Sequence, residues 1–344
     1  MKKYLFLLWA VICFTYSNAA PIKKNLAKEK AHSFAIQKGL HFDKELKMVS
    51  QDEMKAILGE AQSESPGYYI FNHGNQQGFM IVSGDDLAPE ILGYSDTGSI
   101  DPENMPDNLK KWLQSYSEQI KYLSAHPSMR IKHKTNDNLE EARVPVGQLC
   151  TSEWNQREPY NDRTEWVTGC VPTAMAQLLY YYRKTTVNAT LKEIPGYTTS
   201  TKKTEIPAIP AGTILDWDNM LDTYPNKGAD ATEAQRKAVA DLMYYCGVCC
   251  EADYGYYSGE TPAYDGMIAS SLMEYFGFDE KAKYVSKDLY TIDEWDRILY
   301  NELSHSRPII YGASNTSGGH EFIIDGFDGE SLCHVNWGWG GGGN

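Results

Sequence analysis

The distribution of cysteine divides this chain of 344 residues into two parts. Residues 20–143 contain no cysteine, whereas residues 144–344 contain six. The charge changes at the same point, because the first part holds 15 Lys and Arg against 18 Asp and Glu, and the second holds 15 against 28. A chain of this length corresponds to about two domains. We therefore expect two units of different chemistry that meet near residue 143.

The overall composition excludes two broad classes of protein. The formal net charge is −14, which excludes a protein that binds nucleic acid through a basic face. Hydrophobic residues make up 42% of the chain and charged residues 23%, values typical of a globular protein and not of a disordered one.

Residues 1–19 have the features of a secretory signal peptide. Two lysines precede a short apolar run from Leu5 to Phe14, and Ser17-Asn18-Ala19 supplies the small residues that a signal peptidase reads. A buried N-terminal helix is the alternative. The run is too short to cross a bilayer, and no later segment reaches ~18 uninterrupted apolar residues, so we predict no membrane span. We expect the protein to be secreted, to the periplasm or to the extracellular space.

The first part has the pattern of a small α+β unit. Asn25 to Lys38 has helical spacing, and the apolar runs 68–71 and 78–82, separated by a turn, predict a β-hairpin. An amphipathic helix is predicted from Leu109 to Leu123. Residues 124–143 are polar and charged, which indicates a linker between the two parts.

In the second part the predicted helices come before the predicted strands, an order that favours an α+β fold over a doubly wound parallel sheet. Thr291 and Glu294 have the spacing of a capping box at the start of the last helix. The predicted helices are Val171 to Tyr182, Ala231 to Cys246, Gly266 to Phe276 and Ile292 to Ser304, and the predicted strands are Pro308 to Tyr311, Phe322 to Ile324 and Cys333 to Trp337.

Cys170 stands where a loop-like stretch changes into a helix. A thiol at this point lies near the positive end of the helix dipole and near free backbone N–H groups, and both lower its pKa and favour the thiolate. The same N–H groups could hold an oxyanion. Cys170 is therefore a candidate nucleophile, with a buried structural cysteine as the alternative.

His320 is the candidate partner of this thiol. It follows two glycines and precedes a predicted strand, so a substrate could pass close to the imidazole. A cysteine early in the chain and a histidine 150 residues later is an order similar to that of papain-like peptidases. The alternative is a histidine that ends a strand and has only a structural role.

A third segment, residues 334–341, has the sequence His-Val-Asn-Trp-Gly-Trp-Gly-Gly. Asn336-Trp337-Gly338 is similar to the Asn-Ser-Trp-Gly segment of papain-like enzymes, with one residue fewer. In those enzymes the asparagine amide orients the catalytic imidazole, and the tryptophan shields that bond from water. The alternative is an aromatic turn at a strand end.

Taken together, these segments resemble a zymogen of the streptopain family of papain-like (clan CA) cysteine peptidases. The resemblance includes Gly78 to Asp86 and Ile91 to Asp96 in the first part, which are similar to the inhibitory domain of that family. It implies a papain-like catalytic domain over residues 144–344, made of a helical part and an antiparallel sheet. A small α+β inhibitory propeptide over residues 20–143 would precede it.

The resemblance also implies roles for individual residues. Cys170 is the nucleophile, His320 is its base and proton donor, Trp337 packs against the imidazole, and Asn336 is the candidate that orients it. Papain carries its oxyanion-binding glutamine six residues before the cysteine; Thr164 stands there in this chain, so Gln156 is the candidate donor. The residues that would line the substrate cleft are Gly319, Ser258, Gly259 and Glu260.

Several positions depart from the family pattern. Glu321 stands where the family commonly has alanine, and a carboxylate beside His320 should favour the imidazolium unless it points to the opposite face of the strand. Pro172 replaces a usual alanine, and Glu260 stands where the best-known member has serine. The chain ends at Asn344, within a glycine-rich turn, so we expect the catalytic domain to be truncated at its C-terminus.

The function that follows is a secreted cysteine endopeptidase, made as an inactive zymogen, that hydrolyses proteins through a Cys-His dyad and a thioester. Its partners would be protein or peptide substrates and its own propeptide, which is cleaved near Arg143. The resemblance implies an apolar preference at the substrate residue one position before the one at the scissile bond. The alternatives are an inactive truncated paralogue that acts as a binding or inhibitory module, and a transglutaminase or amidase with the same dyad.

No metal or cofactor is predicted. His320-Glu321 begins an HExxH zinc motif, but residue 324 is isoleucine and the stretch has a strand pattern. Cys246 and Cys249 have metal-ligand spacing without a second such pair, so buried thiols at a helix end are favoured. The acidic run 325–330 lacks EF-hand spacing and predicts a hairpin turn. Five mature cysteines remain beside Cys170, an odd number that does not indicate a complete disulfide framework.

Overall fold

The computed structural model of the chain describes residues 21–40, 46–58, 66–74, 76–86, 88–105, 109–110, 113–114, 116–120, 143–257, 259–290, 292–315 and 318–344. The predicted signal peptide, Ser258, and the linker before residue 143 lie outside these ranges. We call residues 21–120 the N-terminal unit and residues 143–344 the C-terminal unit.

The N-terminal unit is built on one antiparallel sheet of four strands in the order β1-β2-β3-β4. The predicted hairpin is its centre, and residues 109–110, 113–114 and 116–120 of the last predicted helix are helical. The elements in chain order are α1 (Lys24–Gln37), β1 (Leu46–Met48), α2 (Gln51–Leu58), β2 (Tyr68–His73), β3 (Phe79–Ser83) and β4 (Ile91–Ser95).

Helices cover both faces of this sheet, which explains why its central strands are apolar at almost every position. Along β2, Tyr68 and Ile70 belong to one core, and Tyr69 and Phe71 belong to the other, as the two-residue period of a strand requires. The second core includes three alanines of α1 at intervals of four, Ala27, Ala31 and Ala35, which form one small-residue stripe and let the helix approach the sheet closely.

The C-terminal unit combines a helical part with a three-stranded antiparallel sheet in the order β7-β8-β9, which confirms the predicted α+β class. Pro225–Gly228 forms a single turn with positive φ values, and short 3₁₀ turns lie at Trp217–Asn219, Asp265–Met267 and Lys287–Leu289. The principal elements are α3 (Cys170–Tyr182), β5 (Tyr197–Thr198), β6 (Glu205–Ile206), α4 (Glu233–Cys249), α5 (Ile268–Tyr275), α6 (Ile292–Ser304), β7 (Ile309–Asn315), β8 (Gly318–Phe327) and β9 (Cys333–Asn336).

Helix α3 is the central element of this unit. Its residues from Val171 to Tyr180 are all buried, because α4 packs on one side of the helix and β8 on another. A helix that is apolar on every side is stable only in such an enclosed position. The packing fixes the N-terminal end of α3, and with it Cys170, beside β8.

Helix α4 begins at Glu233, two residues later than the sequence pattern indicated, because Thr232 and Gln235 form a reciprocal capping box that the prediction missed. It ends at Cys249, and Cys246 and Cys249 are buried there as predicted. The Sγ atoms of Cys249 and Cys250 lie 3.8 Å and 3.9 Å from the Met175 sulfur, so these thiols are part of the core beneath α3.

Several contacts among the described residues join the two units. Ser95 Oγ donates a hydrogen bond to the carbonyl oxygen of Asn344 at 2.7 Å, and Lys38 Nζ lies 2.9 Å from Asp328 Oδ2. The Trp339 indole packs against the Phe79-containing core of the N-terminal unit and against the core of the β7-β8-β9 sheet. The N-terminal unit therefore contacts the glycine-rich segment that follows β9.

Candidate active site

The nucleophile candidate Cys170 is the first residue of α3, as the sequence predicted. The preceding Gly169 has a φ of 92°, and a Cβ atom there would lie 2.4 Å from the carbonyl oxygen of Thr261. Only glycine allows this approach and this conformation without strain. Gly169 therefore forms the sharp turn just before α3, and this turn places Cys170 next to the segment that contains Thr261.

Burial favours the neutral thiol of Cys170. Burial raises its pKa, the Glu321 carboxylate raises it further, and the backbone N–H groups of Glu321, Val171 and Cys170 oppose the shift. The sequence analysis expected the helix start to lower the pKa below its ordinary value. The local N–H groups do act in that direction, but the loss of water around the sulfur outweighs them.

Burial also favours the neutral form of the His320 imidazole. The side chain is buried, its Nε2 lies 3.0 Å from the carbonyl oxygen of Trp337, and burial lowers its pKa to about 4. A carbonyl oxygen only accepts, so Nε2 carries the proton in this arrangement. Thiol and imidazole are thus both uncharged, which is not the ion pair that a reactive cysteine needs.

Two indole rings hold the His320 ring in place. The Trp337 ring is stacked at 6.1 Å and 15°, and the Trp339 ring at 5.1 Å and 22°. The Trp337 Nε1 group donates to the carbonyl oxygen of Gly343 at 3.0 Å, which fixes that indole in turn. The predicted packing of Trp337 against the imidazole is present, and Trp339 was not predicted.

The Asn336 amide is held by hydrogen bonds to Ser152, Gln177 and Gly338. Its Nδ2 donates to the carbonyl oxygen of Ser152 at 2.6 Å and to Gln177 Oε1 at 3.1 Å. Its Oδ1 accepts from the backbone N–H of Gly338 at 3.1 Å. The amide is fully buried and engaged by these groups. An orienting role for Asn336 in an active arrangement stays a prediction.

Gln177 is a residue of this site that sequence reasoning missed. It is buried, and its amide also receives hydrogen bonds from Ser152 Oγ and the Trp154 backbone N–H. It therefore ties α3 to the segment before it and to β9. The available signal was its position seven residues after Cys170, which is two helical turns further along the same face.

Gln156 and Gly319 are two further residues of the predicted site. The carbonyl oxygen of Gln156 accepts a hydrogen bond from the Thr168 backbone N–H at 3.0 Å, so this partly exposed residue is held near the start of α3. Gly319 is exposed on β8 and pairs with Ser314. Their predicted roles in oxyanion binding and substrate binding stay predictions.

The predicted cleft loop runs beside the nucleophile. Thr261 Oγ1 donates to the carbonyl oxygen of Val167 at 2.6 Å, and the Thr261 carbonyl lies against Gly169. Gly259, with a φ of 77°, and Glu260 are exposed just before this anchor. Ser258 lies outside the described residues.

Of the two expectations for Glu321, the one based on strand alternation describes the structure. His320 pairs with Ala313 and Glu321 with Gly312, and adjacent residues of β8 point to opposite faces. The Glu321 carboxyl lies over Gly312 and does not raise the pKa of His320. The expectation that this carboxylate favours the imidazolium form of His320 is therefore wrong for the present arrangement.

Within the described residues, no group of three or more His, Cys, Asp and Glu side chains is placed to hold a metal ion. The six cysteines of the C-terminal unit are free thiols. No described helix combines the length and the apolar composition that crossing a membrane requires.

Two family models match the chain. The model described as the peptidase C10 family matches residues 154–344, and the model described as Spi protease inhibitor matches residues 19–120. Streptopain of Streptococcus pyogenes is 32% identical over 346 residues, which cover 92% of this chain and 81% of streptopain. The thiol protease/hemagglutinin PrtT of Porphyromonas gingivalis is 26% identical and is matched over 40% of its length.

Solved structures of Prevotella intermedia interpain A are also similar. A prointerpain A fragment matches with a TM-score of 0.66 and 31% identity, covering 82% of this chain and 88% of the fragment. Active interpain A matches with a TM-score of 0.50 and 35% identity, covering 57% of this chain and 83% of that structure. The similarity therefore extends through the N-terminal unit.

Proposed function

The chain belongs to the peptidase C10 (streptopain) family of cysteine peptidases and carries an inhibitory propeptide domain, and from this premise we propose how its residues act. We propose that Cys170 and His320 hydrolyse peptide bonds of protein substrates as a dyad. The observation that carries the proposal is the position of Cys170 at the start of α3, directly beside the strand that bears His320.

The proposed reaction has two steps. The Cys170 thiolate attacks the peptide carbonyl carbon, the carbon–nitrogen bond breaks, and the imidazolium of His320 gives its proton to the leaving amine. Water then attacks the thioester carbon while His320 takes a proton from that water, the carbon–sulfur bond breaks, and the acid product leaves, which restores the Cys170 thiolate and the His320 imidazolium. The backbone N–H of Cys170 and the side chain of Gln156 are the proposed donors to the oxyanion.

The propeptide would keep the dyad inactive through the aromatic stack. Trp339 contacts both the core of the N-terminal unit and the ring of His320, so the propeptide supports the indole that holds the imidazole against Trp337. His320 in this position has a pKa of about 4 and does not stabilise a thiolate at neutral pH. Removal of the propeptide would free the stack and let His320 turn towards Cys170.

We also propose that residues 1–19 direct export and that cleavage near Arg143 releases the propeptide. The Arg143 guanidinium pairs with Asp296 and lies 5.1 Å from the centre of the Tyr300 ring, so Arg143 is held on the C-terminal unit. A cut before Arg143 would leave this anchor on the mature enzyme.

The test of the proposed function is hydrolysis of an unfolded protein substrate by the chain in the presence of a thiol reductant. We expect the rate of cleavage to fall in proportion to the fraction of Cys170 that is alkylated by iodoacetamide. The site of alkylation is mapped by mass spectrometry. Cleavage that persists after complete alkylation of Cys170 would contradict the nucleophile assignment. Complete absence of cleavage from the processed chain would instead favour a binding or inhibitory module.

The Lys38–Asp328 ion pair gives a testable link between propeptide and catalytic unit. Burial disfavours the Asp328 carboxylate, but Lys38 and three backbone N–H groups more than offset this and lower its pKa. We expect Lys38→Met to weaken inhibition by the separated propeptide by roughly 2–5-fold, which is the effect of a partly exposed ion pair. The inhibition constant is the measurement, and Lys47→Met, at an exposed position of β1, is the control.

The sign of the pH effect follows from the lowered pKa of Asp328. The contribution of the pair is fully present above the ordinary carboxyl pKa of 3.8 and is lost as pH falls through the lowered value. Equal inhibition constants for the wild-type and Lys38→Met propeptides at neutral pH would show that the ion pair contributes nothing to binding.

A further inference from the structure

The cleft loop, residues 253–262, follows α4 and returns beside the nucleophile. Its two ends are joined, because the Asp253 backbone N–H donates a hydrogen bond to the carbonyl oxygen of Pro262 at 2.7 Å. The returning end is anchored at Thr261, whose carbonyl oxygen lies against Gly169. A surface loop of this length with joined ends is a compact unit. Its position relative to the nucleophile therefore depends on what holds its base.

The Asp253 side chain ties the base of the cleft loop to a second segment. Its Oδ1 accepts a hydrogen bond from the Thr201 backbone N–H at 2.9 Å, and its Oδ2 accepts one from the Thr201 hydroxyl at 2.7 Å. Thr201 belongs to the turn between β5 and β6, which is closed by hydrogen bonds between Thr199 and Thr204. Both carboxylate oxygens thus bind one residue of a turn that is itself held by hydrogen bonds.

The loop backbone also packs closely against its surroundings at Gly255. This residue has a φ of 88°, and a Cβ atom there would lie 2.8 Å from Lys202 Cγ and 3.2 Å from the Trp166 ring. The Trp166 ring is stacked on the buried Tyr254 ring at 6.5 Å and 29°. Since Trp166 stands four residues before Cys170, the β5-β6 turn, the loop base and the segment before the nucleophile pack together.

The tip of the cleft loop is exposed, and a series of hydrogen bonds connects it to Asp253. Tyr257 is 82% exposed, and Gly259 and Glu260 are also exposed. The Tyr256 N–H donates to the carbonyl oxygen of Asp253 at 3.2 Å, and the Gly259 N–H donates to the carbonyl oxygen of Tyr256 at 3.1 Å. The position of Asp253 therefore sets the position of the tip.

We propose that Asp253 is a positioning residue of the peptidase, whose carboxylate holds Thr201 and thereby keeps the tip of the cleft loop where Gly259 and Glu260 meet the substrate. The inference rests on the proposed peptidase function and names a residue that acts on substrate binding through the loop. Without the carboxylate, the loop must be ordered again each time a substrate binds, which costs affinity. The effect falls on binding and leaves the chemistry of Cys170 unchanged.

The test compares two reagents that alkylate the same sulfur. A peptidyl chloromethyl ketone places a peptide in the cleft, and its sequence is copied from the bond that wild type cleaves best in an unfolded protein. Chloroacetamide carries no peptide. The ratio of the two second-order rate constants at Cys170 reports binding of the peptide, because effects on the thiol itself cancel. All variants are full-length chains cut between residues 121 and 142 by an added protease and separated from the propeptide.

Asp253→Ala removes both bonds to Thr201 and should lower this ratio about tenfold. Asp253→Asn should stay within about threefold of wild type, since its Oδ1 can accept from the N–H and its Nδ2 can donate to the hydroxyl oxygen. Thr201→Val removes only the hydroxyl bond and should give an intermediate ratio. The control Asp230→Ala, at an exposed residue, should equal wild type. A ratio in Asp253→Ala equal to that of the control would overturn the proposal.

Steady-state kinetics give a second readout that a merely structural role of Asp253 would not move in the same pattern. For the best peptide substrate, KM should rise about tenfold in Asp253→Ala while kcat stays within about threefold of wild type, and Asp253→Asn should restore KM. A fall in kcat with an unchanged KM would show that Asp253 acts on the reaction step, and would contradict a role in positioning the loop for binding.

Hydrogen exchange tests the loop even if the chain proves not to hydrolyse peptides. In Asp253→Ala, the amide hydrogens of residues 253–262 should exchange about tenfold faster than in wild type, whereas those of α4 should be unchanged because the fold is retained. Faster exchange in a chain that never hydrolyses peptides would contradict the peptidase proposal and keep the role of Asp253 in holding the loop. Hydrolysis by wild type, with exchange that the substitution leaves unchanged, would do the reverse.

Discussion

Replacing Cys170 with alanine lowers kcat/KM for peptide hydrolysis by the processed enzyme by about 10⁴-fold or more, because no other group can form the thioester. The fold should be retained, since alanine suits the first turn of α3 and the sulfur makes only weak contacts with backbone N–H groups. The measurement is the steady-state rate on the best peptide substrate, with the variant cut by added protease in the same way as wild type.

Cys333→Ala is the matched control for this substitution. Cys333 is the other partly exposed cysteine among the described residues, and it lies on β9. Its variant should keep kcat/KM within about threefold of wild type, because burial raises the pKa of this thiol to about 11 and it has no catalytic role in this account. Comparable activity in Cys170→Ala and wild type would remove the nucleophile assignment.

Separating the propeptide from the catalytic unit raises peptidase activity by at least about 100-fold, because a neutral thiol and a neutral imidazole must be converted into an ion pair. A cut between residues 121 and 142 followed by chromatographic separation of the two fragments gives the active form. Adding the fragment of residues 20–120 back should restore inhibition. Equal rates before and after separation would show that the N-terminal unit does not control the dyad.

Trp339→Ala distinguishes this explanation from simple blocking of the cleft. The substitution removes one of the two indoles stacked on His320 and the side chain shared by the two cores. We expect the intact variant to have more basal activity than the intact wild type, since the histidine is held less firmly. A fully silent intact variant whose separated form is active would favour blocking.

Much of the fold was readable from local sequence patterns. The apolar runs of β2 and β3 on either side of a turn, the spacing of the alanines in α1 and the apolar length of α3 are all visible in the sequence alone. The same is true of Cys170 at a helix start, because the glycine before it and the apolar run after it mark the boundary. The start of α4 was misjudged because its cap depends on a reciprocal hydrogen bond.

The hydrogen bonds and the protonation of the site residues could not be predicted from local sequence patterns. The partner of the His320 ring is a backbone carbonyl 17 residues away, and the protonation of both dyad residues depends on burial that only the tertiary structure creates. Gln177 and Trp339 contribute through contacts distant in sequence.

The most direct measurement is the pKa of His320, followed by NMR in chains with labelled histidine before and after separation of the propeptide. We predict about 4 in the intact chain and a value above the ordinary 6.5 in the separated enzyme, where the thiolate of Cys170 stabilises the imidazolium. The Cys170→Ala variant should lack the part of the rise that the thiolate causes. A pKa that is already ordinary in the intact chain, or that stays near 4 in the active enzyme, would contradict the account.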